Sequence, residues 1–406
     1  MWVAVAIFAL TYVLMTGRRL EWLPLDRPSA ALTGAVLMVV AGVIPIDEAY
    51  GAVDWNTIVL LLGMMILTAY LKMAGFFGLV AEKALRRVRT PTGLLAAVVV
   101  LSGVLSALFV NDTVCLLFTP IVLEVALRAK LPPVPFLIAL ATSANIGGVA
   151  TPTGNPQNMI VATASGIPYG AFCSRLLPVA ALGLAANFAI LRWLYRRELA
   201  VPFAAVAAVE RTPVVPGLLR LSLLVVAATL VAYLAGGHLA TVSISGAVAL
   251  FLLSRRLPRR SLEQVDWALL LFFGALFVLV GGLARSGVVE KIYDATSPFF
   301  GDGEWSRLAT FSAFTVAGSQ LLSNVPFVLV ARHWIEAFPD PETMWLALAM
   351  ASTLAGNLTL LGSVANVIVA EVARDRVHLG FGEFLRAGVP TTLATTAIGV
   401  AVLALT

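Results

Sequence analysis

The chain reads GNPQNMIVA at residues 154–162 and GSVANVIVA at residues 362–370, so the pattern Gly-x-x-x-Asn-x-Ile-Val-Ala occurs twice. Each copy interrupts an otherwise apolar segment with glycine and asparagine. Unwound backbone in a bilayer leaves N–H and C=O groups without partners unless protein surrounds it or it lines a cavity. Paired broken segments at matching positions of a duplicated chain indicate the binding site of a secondary transporter. The pattern therefore predicts an all-α polytopic membrane protein that transports a solute.

The composition indicates a membrane protein independently of the repeat. Of 406 residues, 60% are hydrophobic and 12% are charged, against about half and about a quarter in typical soluble domains. The basic residues lie in short clusters between apolar segments, so the net charge of +5 reports orientation and predicts no nucleic-acid partner. Residues 1–16 lack the basic start and cleavage site of a signal peptide and are expected to be a membrane segment. We expect a multi-pass protein of a prokaryotic plasma (inner) membrane.

Three further correspondences support the duplication. Val53-Asp54-Trp55 matches Val265-Asp266-Trp267, Asn111 matches Asn324, and Asn145 is paired with Asn357. These pairs lie 212, 213 and 212 residues apart, and the two motif copies lie 208 apart, which a four-residue deletion explains. We predict a first repeat at 1–198, a cytoplasmic linker at 199–215 and a second repeat at 216–406.

Two apolar stretches, 92–127 and 306–338, are too long for single membrane spans of about 20 residues. The first is broken at Asn111-Asp112-Thr113 and the second at Ser323-Asn324-Val325-Pro326. Two full spans joined by a tight turn would explain the first stretch, but the run 105–120 has no cluster of turn residues, which favours a re-entrant hairpin.

The charge distribution predicts that the two repeats are inverted. If the loop with Arg18, Arg19 and Arg27 is cytoplasmic, each half has about five transmembrane helices, one of them discontinuous, and one re-entrant hairpin. An odd number of crossings then separates equivalent elements, and most Lys and Arg residues lie inside. The two hairpins enter from opposite sides, which is an alternating-access geometry.

The breaks and tips offer neutral amides, hydroxyls and free helix N-termini. Helix N-termini favour anions, and unwound carbonyls favour small hard cations such as Na+. The predicted substrate-binding residues are Asn111, Thr113, Thr153, Asn155, Asn158, Ser323, Asn324, Thr359, Ser363 and Asn366. The predicted coupling-ion residues are Asp112, Asn111, Asn145, Gly154, Asn324, Asn357 and Gly362.

Asp112 is the only carboxylate that this topology places deep in the membrane, where an ionised side chain costs several kcal/mol. We predict that it binds and releases a coupling proton, or neutralises a bound Na+. The alternative is a structural acid that caps the following helix, a role that Asp performs well.

No feature of the sequence indicates an enzyme. Cys115 and Cys173 lie in apolar stretches, and no metal-ligand spacing or nucleophile constellation accompanies them. We therefore predict no catalytic residue, no metal site and no cofactor apart from Na+ as a coupling ion.

The two broken segments resemble the paired signatures of the ion transporter superfamily. This group includes arsenite permeases, NhaD-type sodium/proton antiporters, the P-protein, and the citrate and divalent anion/sodium symporters. The resemblance covers nearly the whole chain and implies an elevator-type mechanism and a homodimer, with residues 28–46 and 239–254 as scaffold contacts. Divalent anion symporters carry Ser-Asn-Thr at both tips, whereas Asn111-Asp112 resembles the first tip of arsenite permeases.

The resemblance is specific for the superfamily and weak for the substrate. The second broken helix is most similar to the P-protein, so no single subfamily accounts for both halves. We predict a carrier of a small inorganic or organic anion or oxyacid, coupled to H+ or Na+, with arsenite as the first substrate and a carboxylate as the second. The alternative is a Na+/H+ antiporter.

Overall fold

The computed structural model describes residues 1–16, 25–85, 88–203 and 213–406. These residues form twenty α-helices and three short 3₁₀ helices, and the four described ranges contain no strand. The predicted all-α class is therefore confirmed. Arg18, Arg19 and residues 204–212 of the predicted linker lie outside the described residues.

The described residues of the first half form ten helices. They are α1 (Trp2–Thr16), α2 (Arg27–Val40), α3 (Ile46–Ala52), α4 (Trp55–Met73), α5 (Phe76–Leu85), α6 (Pro91–Leu108), α7 (Asn111–Arg128), α8 (Val134–Gly148), α9 (Pro156–Ser165) and α10 (Tyr169–Leu194).

The second half contains ten more. They are α11 (Pro216–Leu234), α12 (Leu239–Leu253), α13 (Arg259–Leu262), α14 (Trp267–Arg285), α15 (Val288–Thr296), α16 (Glu304–Leu322), α17 (Asn324–Ala331), α18 (Pro341–Ala355), α19 (Val364–Ala373) and α20 (Phe381–Leu403). Six helices are long and apolar enough to cross a membrane: α4, α6, α10, α11, α14 and α20.

The repeated Val-Asp-Trp sequence is a helix start in both halves. Asp54 Oδ1 accepts a hydrogen bond from the Asn56 amide at 3.0 Å, and Asp266 Oδ1 accepts one from the Leu269 amide at 2.9 Å. Each aspartate thus satisfies an amide that the first helical turn leaves free. The caps fix the starts of α4 and α14 at equivalent residues.

The helices fall into two groups, and equivalent helices exchange partners between the halves. In the first group α2 packs on α14, and its equivalent α12 packs on α4, together with α1 and α11. The second group contains α6 to α10 and α16 to α20, where α8 packs on α6 and α7, and α18 packs on α16 and α17. Such reciprocal packing is the pattern that a two-fold axis between two halves produces.

In the second group, each half of the chain packs a helical hairpin against its own broken helix. Only Phe109 and Val110 separate α6 from α7, and only Ser323 separates α16 from α17. The backbone N–H of Asn111 donates to the Gly154 carbonyl at 3.0 Å, so the first tip lies against the first break. A buried tip is what the re-entrant interpretation predicts.

Candidate functional site

In each of the two broken helices, α8–α9 and α18–α19, one asparagine stabilises the break through hydrogen bonds to backbone carbonyl groups. The Asn158 amide nitrogen donates to carbonyl oxygens at the end of α8 and in the break, and Asn366 does the same in the second half. The contacts are Asn158 to Gly148 (2.9 Å) and Thr151 (3.0 Å), and Asn366 to Gly356 (2.7 Å) and Thr359 (3.0 Å). These bonds satisfy carbonyls that the interrupted helix cannot pair, which is the condition for a break at membrane depth. The conserved spacing of the two motif copies within this chain thus has a structural cause.

The hydrogen bonds correct one predicted correspondence between the repeats. The Ser363 hydroxyl donates to Asn145 Oδ1 at 3.1 Å, and the Asn155 amide donates to Thr353 Oγ1 at 3.1 Å. Asn145 is therefore equivalent to Thr353, 208 residues later, and its predicted pairing with Asn357 is wrong. The deletion lies instead between the hairpin and the broken helix, because α18 begins closer to its hairpin tip than α8 does.

Asn145 joins both breaks and the first hairpin tip. Its amide nitrogen donates to the Oδ1 atoms of Asn357 (2.9 Å) and Asn366 (3.1 Å), and its oxygen accepts from Asn111 (2.8 Å) and Ser363 (3.1 Å). These four bonds use the full capacity of a primary amide. Asn145 was predicted to bind the coupling ion, but in this structure its polar atoms are all occupied by protein.

The two hairpin tips carry polar atoms without partners. The side-chain oxygens of Asn111 and Asn324, which are equivalent residues, are buried and accept no hydrogen bond. One turn earlier, the hydroxyls of Ser106 and Ser319, again equivalent, are also buried and unpartnered. Buried polar groups are rarely left unpaired, so we expect a ligand, a water molecule or an ion to bind each of these atoms.

A cavity of about 410 Å³, the main cavity, lies at these tips. Residues at the N-terminal ends of four helices line it: Asn111 and Asp112 of α7, Pro156 and Gln157 of α9, Asn324 and Val325 of α17, and Ser363 and Val364 at α19. Converging helix N-termini make the site favourable for anions and for oxygen atoms that accept hydrogen bonds. Such a volume is within the range of small-molecule pockets, about 300–1,000 Å³.

Two charged side chains among the described residues line the main cavity, Asp112 and Arg27. Arg27 begins α2 beside its cap, Asp26, which accepts a hydrogen bond from the Ser29 amide at 2.9 Å. Hydrogen bonds from the Ser29 side chain and from the Ser29 amide hold the pKa of the Asp26 carboxyl below its usual value. The main cavity therefore offers one carboxylate and one guanidinium together with neutral amides.

The structure brings some of the predicted residues into the main cavity and leaves others behind it. Those that line it are Asn111, Asp112, Ser323, Asn324, Thr359, Gly362 and Ser363. Those that support the breaks without lining it are Thr153, Asn155, Asn158, Asn366, Asn145, Asn357 and Gly154. Thr113 lines a second, smaller cavity. Which of them bind substrate or ion stays a prediction.

Several residues of the main cavity were not predicted. Gln320 accepts a hydrogen bond from the Thr359 hydroxyl at 3.0 Å and donates to the Ala355 carbonyl at 2.7 Å. Tyr12 donates to the Leu322 carbonyl at 2.6 Å and so joins α1 to the second hairpin. Neither residue belongs to a repeated motif, so the comparison of the two halves could not find them.

Comparison with known proteins agrees with this geometry. Residues 10–351 match the citrate transporter family, CitMHS. The chain belongs to that family. Within it, the chain is 33% identical over 462 residues to the silicon efflux transporter LSI3 of Oryza sativa subsp. japonica, covering 97% of this chain and 95% of the relative. It is 31% identical over 418 residues to a 46 kDa membrane protein of Mycobacterium leprae, covering 98% and 96%.

Among solved structures, the YdaH transporter of Alcanivorax borkumensis has a similar fold. The TM-score is 0.61 at 16% sequence identity, and the match covers 100% of this chain and 96% of that one. The predicted membership of the ion transporter superfamily is confirmed. The chain is a membrane transporter of the citrate transporter family.

Proposed function

We propose that this chain is a secondary transporter of a small, weakly acidic oxyacid of the arsenous or silicic acid type, coupled to H+ or Na+. The observation that carries the proposal is the pair of unpartnered amide oxygens on Asn111 and Asn324 in one cavity with Asp112. A carboxylic acid is the second substrate class.

The polar groups of the main cavity suit a neutral polyhydroxyl molecule. Its hydroxyl groups can donate to the two free amide oxygens, and its oxygens can accept from the helix N-termini. Each bond of this kind removes the cost of an unpaired buried group, about 1–3 kcal/mol. A dianion would be attracted by Arg27 but would also meet the Asp112 carboxylate at the hairpin tip, whereas a neutral oxyacid meets no like charge, which makes a dicarboxylate the weaker candidate. The 33% identical relative named as a silicon efflux transporter supports the same substrate class.

The packing between the two helix groups supports an elevator-type movement of α6–α10 and α16–α20 against the rest. Asp54 Oδ2 accepts hydrogen bonds from the Thr163 and Thr57 hydroxyls at 2.9 and 2.7 Å, which joins α9 to α4 at one end. In the predicted topology that end faces outward, and the main cavity opens inward between α1, α2 and the tips. The structure then corresponds to the state that releases substrate into the cytoplasm or binds it from there.

The proposed assembly is a homodimer in a prokaryotic plasma membrane, with two inverted repeats per chain. The predicted scaffold contacts correspond to α2 and α12, which keep large apolar side chains exposed, among them Val40 at 77% and Leu252 at 76%. A second copy or lipid would cover them.

A Na+/H+ antiporter is the second candidate, and the same atoms favour it. Two amide oxygens and a carboxylate are hard oxygen ligands of the kind that bind Na+. Such a protein would exchange Na+ for protons with no oxyacid present.

The deciding experiment is flux into proteoliposomes under an imposed pH gradient, with arsenite, silicic acid and citrate as substrates and Na+ varied. Oxyacid flux that depends on the gradient and that Asp112→Asn uncouples supports the proposal. Asn324→Ala is expected to raise the half-saturating oxyacid concentration by about tenfold, the effect of one lost bond of about 1.4 kcal/mol. Asn187→Ala is the matched control, because Asn187 is also buried but bonds Thr142, Ser143 and Thr391 away from the cavity. Sodium-dependent proton flux without any oxyacid flux would instead establish the antiporter.

A further inference from the structure

A second cavity of about 160 Å³ meets the main cavity at Asp112. Among the described residues, Asp112, Leu269 and Val364 line both cavities, so Asp112 is the only polar side chain in that part of the chain that they share. The polar residues found only in the second cavity are Thr68, Lys72, Thr113, Gln264 and Asp266. Of these, Lys72, Gln264 and Asp266 are exposed, which places the mouth of the second cavity at their end.

The two cavities differ in charge. The main cavity has Arg27 and four helix N-terminal ends around Asp112. The second cavity has two carboxylates, Asp112 and Asp266, against one ammonium group, Lys72. The N-terminal ends of α7, α14 and α19 also line the second cavity, so the difference lies in the charged side chains. Those of the main cavity sum to zero, whereas those of the second cavity sum to one negative charge, which favours a small cation there.

The second cavity lies between α4, α7, α14 and α19, four helices from the two groups. At the opposite end of the molecule, α4 packs on α9 and α14 packs on α17, so the equivalent space there is closed. The second cavity is thus open at the same end, and in the same conformation, as the main cavity.

We propose that the second cavity is the route by which the coupling cation, a proton or Na+, reaches and leaves Asp112, separate from the route of the substrate. The inference rests on the proposed function, since it assumes that a cation drives transport. The volume corresponds to about five water molecules at about 30 Å³ each, enough for a hydrated Na+ or a chain of proton-carrying waters. Hydroxyl and amide groups of Thr68, Thr113 and Gln264 provide the hydrogen-bonding partners that such waters need.

Asp266 and Lys72 carry opposite charges at the mouth of the second cavity, so removing one or the other should change the affinity for the coupling cation in opposite directions. Asp266→Asn keeps an oxygen to cap α14 but removes a negative charge, and Lys72→Gln removes a positive one. We expect Asp266→Asn to raise, and Lys72→Gln to lower, the half-saturating concentration of the coupling cation by about two- to fivefold each, as for exposed charges. The half-saturating oxyacid concentration is expected to stay within about twofold. Asp340→Asn is the matched control, because Asp340 caps α18 in the same way but lines neither cavity.

A blocking variant tests the route itself. Ala69 lines the second cavity and not the main one, so Ala69→Leu is expected to slow gradient-driven flux at least tenfold and to spare oxyacid exchange at equal ion concentrations. If Ala69→Leu does not fold, Ala69→Cys in a chain with Cys115 and Cys173 replaced by alanine can be blocked with a small thiol reagent after reconstitution.

The assay is run once with a proton gradient and once with a Na+ gradient, so that the driving cation is identified. Suppose that oxyacid flux through the native protein does depend on a cation gradient. A variant that slows exchange as much as gradient-driven flux, or a set of variants without any effect, would then overturn the separate route alone. A native protein whose oxyacid flux ignores both gradients would overturn the proposed function, and the route with it.

Discussion

Replacing Asn145 by leucine tests whether one buried amide holds both breaks together. Leucine has the same number of side-chain heavy atoms, branched at the same position, so the substitution removes four hydrogen bonds without leaving a void. A hydrogen bond contributes about 1 kcal/mol in soluble proteins and about 0.6 kcal/mol on average between membrane helices. The four bonds of Asn145 therefore predict a loss of roughly 2–4 kcal/mol in the free energy of unfolding.

The second repeat supplies an internal calibration. Thr353 occupies the equivalent position but makes two side-chain hydrogen bonds, accepting from Asn155 at 3.1 Å and donating to Asn158 at 3.1 Å. Thr353→Val should therefore cost about half as much, roughly 1–2 kcal/mol.

Both variants can be compared by thermal unfolding in detergent, followed by the fluorescence of the eight tryptophans. The fall in Tm of Asn145→Leu is expected to be about twice that of Thr353→Val. Equal shifts would show that the position, and not the number of bonds, sets the cost. A native Tm for Asn145→Leu would refute the four-bond arrangement itself.

Three further variants test the tips and the contact between the helix groups. Gly154→Ala would put a Cβ atom 2.2 Å from a backbone carbonyl oxygen. We therefore expect the free energy of unfolding to fall by about 1–3 kcal/mol and transport to be lost. The control is Gly274→Ala, whose Cβ meets no atom within 4 Å and which should change neither. Ser323 has φ 64° and ψ 160°, a backbone conformation that only glycine adopts without strain. Ser323→Gly should therefore raise the free energy of unfolding by about 1 kcal/mol. A lower Tm would contradict this. Thr163→Val removes the hydrogen bond to Asp54, which joins the two helix groups at the outer end. In a chain that also carries Ser323→Cys, we expect this change to increase labelling of the cysteine by an external thiol reagent about two- to fivefold. Unchanged labelling would show that the contact does not hold the outer end closed.

The sequence predicted the parts of the fold that repeat in it. The two motif copies predicted breaks that the structure places at 149–155 and 356–363. The second hairpin turn lies at the predicted tip, at Ser323, whereas the first lies at Phe109-Val110, directly before the predicted Asn111-Asp112-Thr113. These features are readable because polar residues are costly inside a membrane protein and therefore stand out against apolar sequence.

The parts that were missed depend on contacts between distant segments. Asn145 was paired with Asn357 because both are asparagines near a motif, whereas the hydrogen bonds pair it with Thr353. Identity of residue type was the wrong criterion, since a threonine hydroxyl can accept and donate as an amide does. Arg27 and Gln320 reach the main cavity through packing between helices, which no local pattern records.

The contacts at the closed end predict that the proposed elevator movement differs in cost between its two directions. At that end Asp54 accepts from the neutral Thr163 hydroxyl. Closing the open end in the equivalent way would bring Asp266 towards Glu371, which has the position of Thr163 in the second repeat and now pairs with Arg374 at 3.1 Å. Two carboxylates repel each other unless a cation or proton lies between them. In the proposed elevator movement, a positive charge between these two carboxylates, such as Lys72 or the coupling cation, would therefore favour closure of the open end.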